Sequence, residues 1–346
     1  MGVDLGELAV KHTISLESLA GKAIAIDAFN TLYQFLASIR QEDGTPLMDF
    51  KGRITAHLSG LFYRTARLVE NGIKPIFVFD GIPPKFKRRT TEQRAKNKQE
   101  AEAKWKKALE EERYEDAKKY AQATSRLTQD MIDESKQLLD AIGIPYVEAL
   151  SEGEAQASWM VRQGVAYAAS SQDYDSILFG SPILIRNITI TGRRKIPRQD
   201  RYILIEPEEI RLEETLGALG LTRERIIMVG MLTGTDFNEG VRGVGPKTAM
   251  KIIKEIKTLK DLENYLYEKY QYEFETDINE IFEFFMNPPY KKIEKKFEWG
   301  KINKEKVENL LVKDHDFSEE RIASTLAKIE KSFAEKGAQS KLEEWF

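Results

Sequence analysis

The sequence contains no cysteine. That absence excludes disulfides, thiolate zinc sites and thiol nucleophiles. Histidine is almost as scarce: His12, His57 and His315 are scattered along 346 residues, which argues against a transition-metal site and leaves hard, oxygen-ligated cations as the expected kind. No apolar run approaches the roughly 20 residues needed to cross a bilayer, and a signal peptide's charged-then-apolar order is missing. Met1-Gly2 does not open a myristoylation motif, because position 6 is Gly rather than Ser or Thr.

What is present is a 41% hydrophobic content, enough for a proper core, and a near balance of 53 basic and 56 acidic residues. The net charge of −3 hides a segregation of signs along the chain. Lys22 to Phe29 (KAIAIDAF) and Lys74 to Gly81 (KPIFVFDG) are short apolar runs closed by an Asp and a break; Ala166 to Asp173 (AYAASSQD) is a weaker third. These read as buried strands, with helical patterns over His57 to Glu70 and Gln129 to Ile142 between them, so the expected class is α/β with a largely parallel central sheet. Ligands of such sheets bind beyond the carboxyl ends of the strands, where Asp27, Asp80 and Asp173 fall.

From Lys85 to Lys107 the chain holds ten Lys or Arg against three Glu. Lys87, Thr91, Arg94 and Lys98 share one helical face, which predicts a basic helix standing away from the core; a merely solvated charged helix is the alternative. Arg193, Arg194, Lys195 and Arg198 read as a basic loop between two strand-like runs. Ser318 to Lys336 reads as a charged helix, and after Gly337 the chain runs out as a detached tail.

Seven acids are candidates to meet at one sheet edge: Asp27, Asp80, Glu152, Glu154, Asp173, Asp175 and Asp236. Each alone could be a cap or a surface group, and Ser151 to Glu154 matches a capping box. Together, at about 4 Å and an effective dielectric near 20, each like-charged pair costs on the order of 4 kcal/mol, so the cluster needs cations or raised pKa values, and divalent metal ions are the natural answer. An all-oxygen site suits Mg²⁺ or Mn²⁺, and two such ions about 4 Å apart serve phosphodiester hydrolysis without a histidine base. Gly240 to Lys247 (GVRGVGPK) opens a helix with bare backbone N–H groups, a turn suited to a phosphate backbone. Gln339, Leu342, Trp345 and Phe346 form Q-x-x-L-x-x-W-F, an anchor spacing for a partner groove.

MGVDLGEL, IDAFNTLYQFL, GLFYRTARLVENGIKPIFVFDGIPPKFK, SEGEAQAS, QDYDSILFGSP, LTGTDFNEGVRGVGPKTA and FSEERI occur in order along nearly the whole chain. By them the sequence resembles the flap endonucleases, structure-specific 5′ nucleases, in their archaeal branch. The resemblance implies a PIN-like nuclease domain over 1–330, with a helical arch over about 82–128 and a helix-two-turn-helix over about 226–260, followed by a flexible clamp-binding tail over 331–346. It implies that the seven acids hold two Mg²⁺, with Mn²⁺ able to substitute. Lys87 and Arg94 would act on the scissile phosphate, and Tyr33 would stack on the adjacent base. Gly243, Gly245 and Lys247 would hold duplex DNA with a bound K⁺, and Gly2 would lie near the site. Arg193 and Arg194 are further candidate DNA contacts. Flapped or branched DNA and a PCNA-type sliding clamp are the implied partners of an intracellular, cytoplasmic or nucleoid-associated monomer with 5′ flap endonuclease and 5′-3′ exonuclease activity. A non-catalytic DNA-junction or clamp-binding protein is the rival reading.

Overall fold

The computed structural model describes residues 3–41, 43–111, 113–195, 201–294 and 296–343, with backbone alone for 88–94, 193–195 and 336–343. Seven strands make the main sheet: β1 (His12–Thr13), β2 (Ala23–Asp27), β3 (Lys74–Phe79), β4 (Tyr146–Glu148), β5 (Ala168–Ser170), β6 (Ile183–Arg186) and β9 (Glu208–Arg211). Their order is β1-β9-β6-β5-β2-β3-β4. The five strands from β6 to β4 are parallel, and β9 and β1 add an antiparallel edge. The parallel α/β expectation therefore holds. Strands β2 and β3 lie side by side near its centre, and their apolar runs are almost wholly buried, as interior parallel strands require.

Helices α1 (Ala28–Ser38), α2 (Ala56–Glu70) and α5 (Gln129–Ala141) cover one face. The basic segment forms α3 (Arg88–Glu110) and returns through α4 (Tyr114–Gln122). Ala101, Ala108, Ala117 and Ala121 are buried, so small side chains let these two helices approach closely. α6 (Gly153–Arg162) packs on the other face. A third apolar cluster gathers α7 (Asp175–Leu178), α8 (Leu212–Leu219), α9 (Arg223–Thr233), α10 (Pro246–Glu255), α11 (Leu259–Tyr270) and α12 (Ile278–Met286). The chain then crosses back over the sheet to α13 (Lys304–Val307) and α14 (Glu319–Glu343). On the way Gln156 makes two bonds to the Lys291 backbone, donating at 2.9 Å and accepting at 2.7 Å. Trp159 stacks on Tyr290 with centroids 5.1 Å apart.

Two expectations are corrected. Arg193, Arg194 and Lys195 belong to β7 (Gly192–Lys195), paired antiparallel with β8 (Tyr202–Ile205), rather than to a loop; the Tyr-Ile-Leu-Ile run opposite supplies a strand for them to pair with. Arg198 lies outside the described residues. The last helix does not stop at Gly337 but runs to Glu343: one glycine costs about 1 kcal/mol relative to alanine, and Ala, Lys, Glu and Gln around it favour helix. Phe333 still packs against the core.

Two of the three histidines prove structural. His57, fully buried on α2, is 2.9 Å from Glu134 of α5. His315 sits between Asp49 at 3.1 Å and Glu134 at 3.2 Å, one carboxylate for each ring nitrogen. That arrangement suits the imidazolium, whose two N–H groups both donate. The Glu134 bond raises the His315 pKa above 6.5. Burial alone would raise Glu134, but bonds from His315 and His57 hold it at about 2. A raised folded-state pKa means that the stabilisation is complete below the unfolded value and is lost as pH rises through the folded one. The urea midpoint should therefore fall as the pH is raised above 6.5. His315→Gln should lose that slope and cost roughly 2–3 kcal/mol at lower pH; an unchanged slope in the variant would refute the assignment.

Candidate active site

The acids converge because the strands end together. Asp27 closes β2 and also caps α1, its Oδ1 accepting from Asn30 N at 3.0 Å. Asp80, one residue past β3, caps a helix from another part of the chain: Oδ1 accepts from Gly153 N of α6 at 2.7 Å. A Cβ at position 153 would stand 2.8 Å from that oxygen and 3.1 Å from the Val78 carbonyl, so glycine permits this approach. The capping box read from Ser151 to Glu154 does not form. Glu152 takes the cap position without a side-chain cap bond, and Glu154 accepts from Ser176 Oγ at 3.2 Å. The requirement of the cluster outweighs the local motif.

Asp175 opens α7 and accepts from Val3 N at 2.7 Å, which brings the start of the chain against the site; Gly2 itself lies outside the described residues. Asp173 accepts from Asn30 Nδ2 at 2.9 Å, while Asn30 Oδ1 accepts from Gln172 N at 3.2 Å. Asn30 thus ties the β2 and β5 ends together, a role missed in the sequence although it lies in the same IDAFN segment as Asp27. Asp236 follows α9, and Lys87 reaches in from the turn just before α3. Its ammonium bonds Glu152 at 2.5 Å and stands 3.7 Å from Asp236.

Burial pushes the carboxyls of Asp27, Glu154 and Asp175 well above their ordinary range. Repulsion adds to it, from Asp80 and Asp173 on Asp27, from Asp175, Asp27 and Asp173 on Glu154, and from Asp236 and Asp173 on Asp175. Burial also pushes Glu152 up to about 7 and raises Asp80, with Lys87 opposing both. Through these pairs all seven acids form one electrostatic network.

Among the described residues no three acidic or imidazole groups already close into a finished ion cage. The site is instead an open basin of oxygen donors around an ammonium. Its donor chemistry fits Mg²⁺ or Mn²⁺ rather than a softer ion, and the mutual repulsion of its acids fits an added positive charge.

Next to the basin lies a cleft of about 520 Å³ lined by Phe29, Tyr33, Asp80, Lys87, Lys98 and Glu152. Tyr33 of α1 is 36% exposed into it, with the Lys98 ammonium 4.7 Å from its ring centroid. The side chain of Arg94 lies outside the described residues, as do those of Arg193 and Arg194. In the glycine turn, Gly243 has φ +83°, a left-handed value, and Gly245 caps α10 with Pro246 at its first position. Lys247 pairs with Glu7 at 3.1 Å, both strongly exposed. The turn stands apart from the acid basin but is joined to it through the loop that starts at Asp236. Gln339 and Leu342 lie on α14 by backbone alone, and Trp345 and Phe346 fall outside the described residues.

Residues 3–101 match the XPG N-terminal domain and residues 143–236 the XPG I-region. Flap endonuclease 1 of Aeropyrum pernix is 51% identical, with 100% of both chains covered. The Pyrococcus furiosus protein of that name is 50% identical over 100% of this chain and 99% of its own. Among solved structures, flap endonuclease-1 from Methanococcus jannaschii superposes with a TM-score of 0.75 at 39% identity, covering 97% of this chain and 100% of that one. The catalytic core of Rad2 in complex with DNA substrate gives 0.69 at 25% identity, covering 95% and 100%. Half the residues are thus shared with such relatives from end to end, and the chain belongs to the flap endonuclease family.

Proposed function

We propose that this chain is a structure-specific 5′ flap endonuclease with 5′-3′ exonuclease activity, a hydrolase that cuts DNA phosphodiesters at the junction of single and double strand in replication and repair. The observation that carries the reading is the network of seven carboxylates at the ends of parallel strands, crowded enough to demand cations. A non-catalytic junction- or clamp-binding protein would not need to bury them.

Asp27, Asp80, Glu152, Glu154, Asp173, Asp175 and Asp236 would hold two divalent ions, Mg²⁺ or in its place Mn²⁺. When bound, such ions lower the pKa of a water molecule and neutralise charge on the leaving oxygen. The chain's own groups do the rest. Asp80 and Asn30 fix the spacing of the strand ends. Lys87 offers its ammonium to the scissile phosphate, where charge builds up in the transition state, and Arg94, two turns along α3, would share that task. Tyr33 presents its face to the neighbouring base, a contact indifferent to sequence.

Gly243, Gly245 and Lys247 would grip a duplex backbone, with K⁺ at the turn, and Arg193 and Arg194 would add phosphate contacts from β7. Recognition by backbone and bend selects a shape of DNA rather than a sequence. Gln339, Leu342, Trp345 and Phe346 would dock in a PCNA-type sliding clamp.

Four outcomes are expected. With a labelled double-flap DNA, chelation by EDTA should abolish cutting. Asp175→Ala should reduce it by more than about 100-fold, since loss of a group merely supporting a metal ligand already costs about 10- to 100-fold; cutting that ignores both changes would refute a nuclease. Lys87→Ala should slow single-turnover cleavage far more than it weakens DNA binding, because its contact strengthens in the transition state; an equal loss of both would reassign Lys87 to ground-state binding. Deleting residues 339–346 should abolish capture by an immobilised clamp while leaving intrinsic cleavage intact, and retained capture would point to another docking surface.

A further inference from the structure

Lys87 is useful only if its ammonium is held at the acid basin, where it meets Glu152 and Asp236. The chain enters the arch through Pro83 and Pro84. The Lys87 N–H donates to the Pro84 carbonyl at 3.0 Å, closing a single tight turn before α3 begins. Lys87 is the first-cap residue of α3 and lacks a side-chain cap bond. Local backbone structure therefore leaves the approach of this turn to the basin to side-chain packing.

The packing is supplied by Phe86. Its ring meets Phe237 edge to face, with centroids 5.5 Å apart and planes at 87°, and meets Phe284 of α12 at 5.4 Å and 83°. Phe237 also touches Phe284 at 5.0 Å and Phe285 at 5.2 Å, and Phe179 closes the group at 4.9 Å from Phe285. Phe237 directly follows Asp236, and its ring lies 5.8 Å from the Lys87 ammonium. Phe179 directly follows α7, the helix that Asp175 opens. One aromatic cluster thus fixes, through adjacent residues, an acid of the basin, the helix of a second acid and the lysine that faces them. Edge-to-face pairs are worth about 0.5–1.5 kcal/mol each beyond burial, and they impose orientation as well as contact.

We infer that Phe86 is a positioning residue for cleavage: its seat between Phe237 and Phe284 anchors the base of the arch so that Lys87 meets the scissile phosphate. The inference rests on the reading of Lys87 given above. A misplacement of about 1 Å can cost up to ~100-fold in rate, so loss of the ring should be felt in the chemical step although the ring itself packs on Phe237 and Phe284.

The test is a double-mutant cycle on single-turnover cleavage of a double-flap DNA, with DNA affinity measured in EDTA and the thermal midpoint measured for every variant. Phe86→Ala should slow cleavage about tenfold or more while DNA affinity changes less than twofold. In a Lys87→Ala background the same change should have almost no further effect, because the group it positions is gone. Phe86→Leu keeps the apolar volume and should retain an intermediate rate; it is the informative variant if Phe86→Ala unfolds. Equal slowing of cleavage by Phe86 substitution with and without Lys87 would mean a general structural role and would overturn the inference, as would no slowing at all. If Lys87→Ala by itself leaves cleavage unchanged, the reading of Lys87 fails, and the positioning role falls with it.

Discussion

The constraint on which the rest of this structure depends is the mutual repulsion of seven carboxylates drawn together at the end of a parallel sheet. Charges of one sign a few ångströms apart in a partly dry site do not assemble spontaneously, so each must be held by an interaction made elsewhere. Asp80 is held by the amide of Gly153, Asp27 by that of Asn30, Asp175 by that of Val3 and Asp173 by the side chain of Asn30. Three of these four donors are backbone groups, two of them at helix starts, where unpaired N–H groups and the helix dipole both favour negative charge. The fold supplies fixed dipoles where mobile side chains would have been an alternative, and dipoles that cannot move keep the acids open to a cation.

Lys87 is the exception that clarifies the arrangement. Its position against Glu152 and Asp236 partly neutralises the basin, and Glu152, Asp80 and Asp236 raise its pKa against the effect of burial. On the reading proposed for Lys87, that ammonium would pass from carboxylate to phosphate. The turn that carries it is anchored by Phe86 to the aromatic cluster beside Asp236. The glycine turn begins on that loop too. A single connection therefore links the glycine turn, one acid of the basin and the turn that carries Lys87.

Much of this was legible in the sequence because strand ends are simple signals. An apolar run closed by an Asp gave Asp27 and Asp80, and the basic helical face gave Lys87. What stayed hidden depended on contacts between distant segments. His57, Glu134 and His315 form their cluster across 77 and 181 positions, and nothing near any of them marks it. Phe86 reads as an ordinary aromatic in a basic stretch, since its partners lie about 150 and 200 residues on. The strand of Arg193 and Arg194 is masked by its charge, which locally suggests a turn, whereas β7 draws its pairing from the apolar run of β8. At Gly337 a single glycine suggests a stop, but the long stretch of helix formers around it prevails.

The same reasoning explains why an acidic chain suits a polyanionic substrate. A net charge of −3 would repel DNA weakly if spread evenly, but here the acids are sorted by depth. Burial raises the pKa of Asp27, Asp80, Glu152, Glu154 and Asp175, which weakens the field they project beyond the site. The basic helix of the arch and the strand of Arg193 and Arg194 stand outside it. At physiological ionic strength, charges farther apart than about 8 Å are largely screened from each other, so an approaching strand responds to the surface in front of it rather than to the sum. On the function proposed above, the buried acids would act only once a phosphate had reached them, with divalent ions, if held there, offsetting their charge.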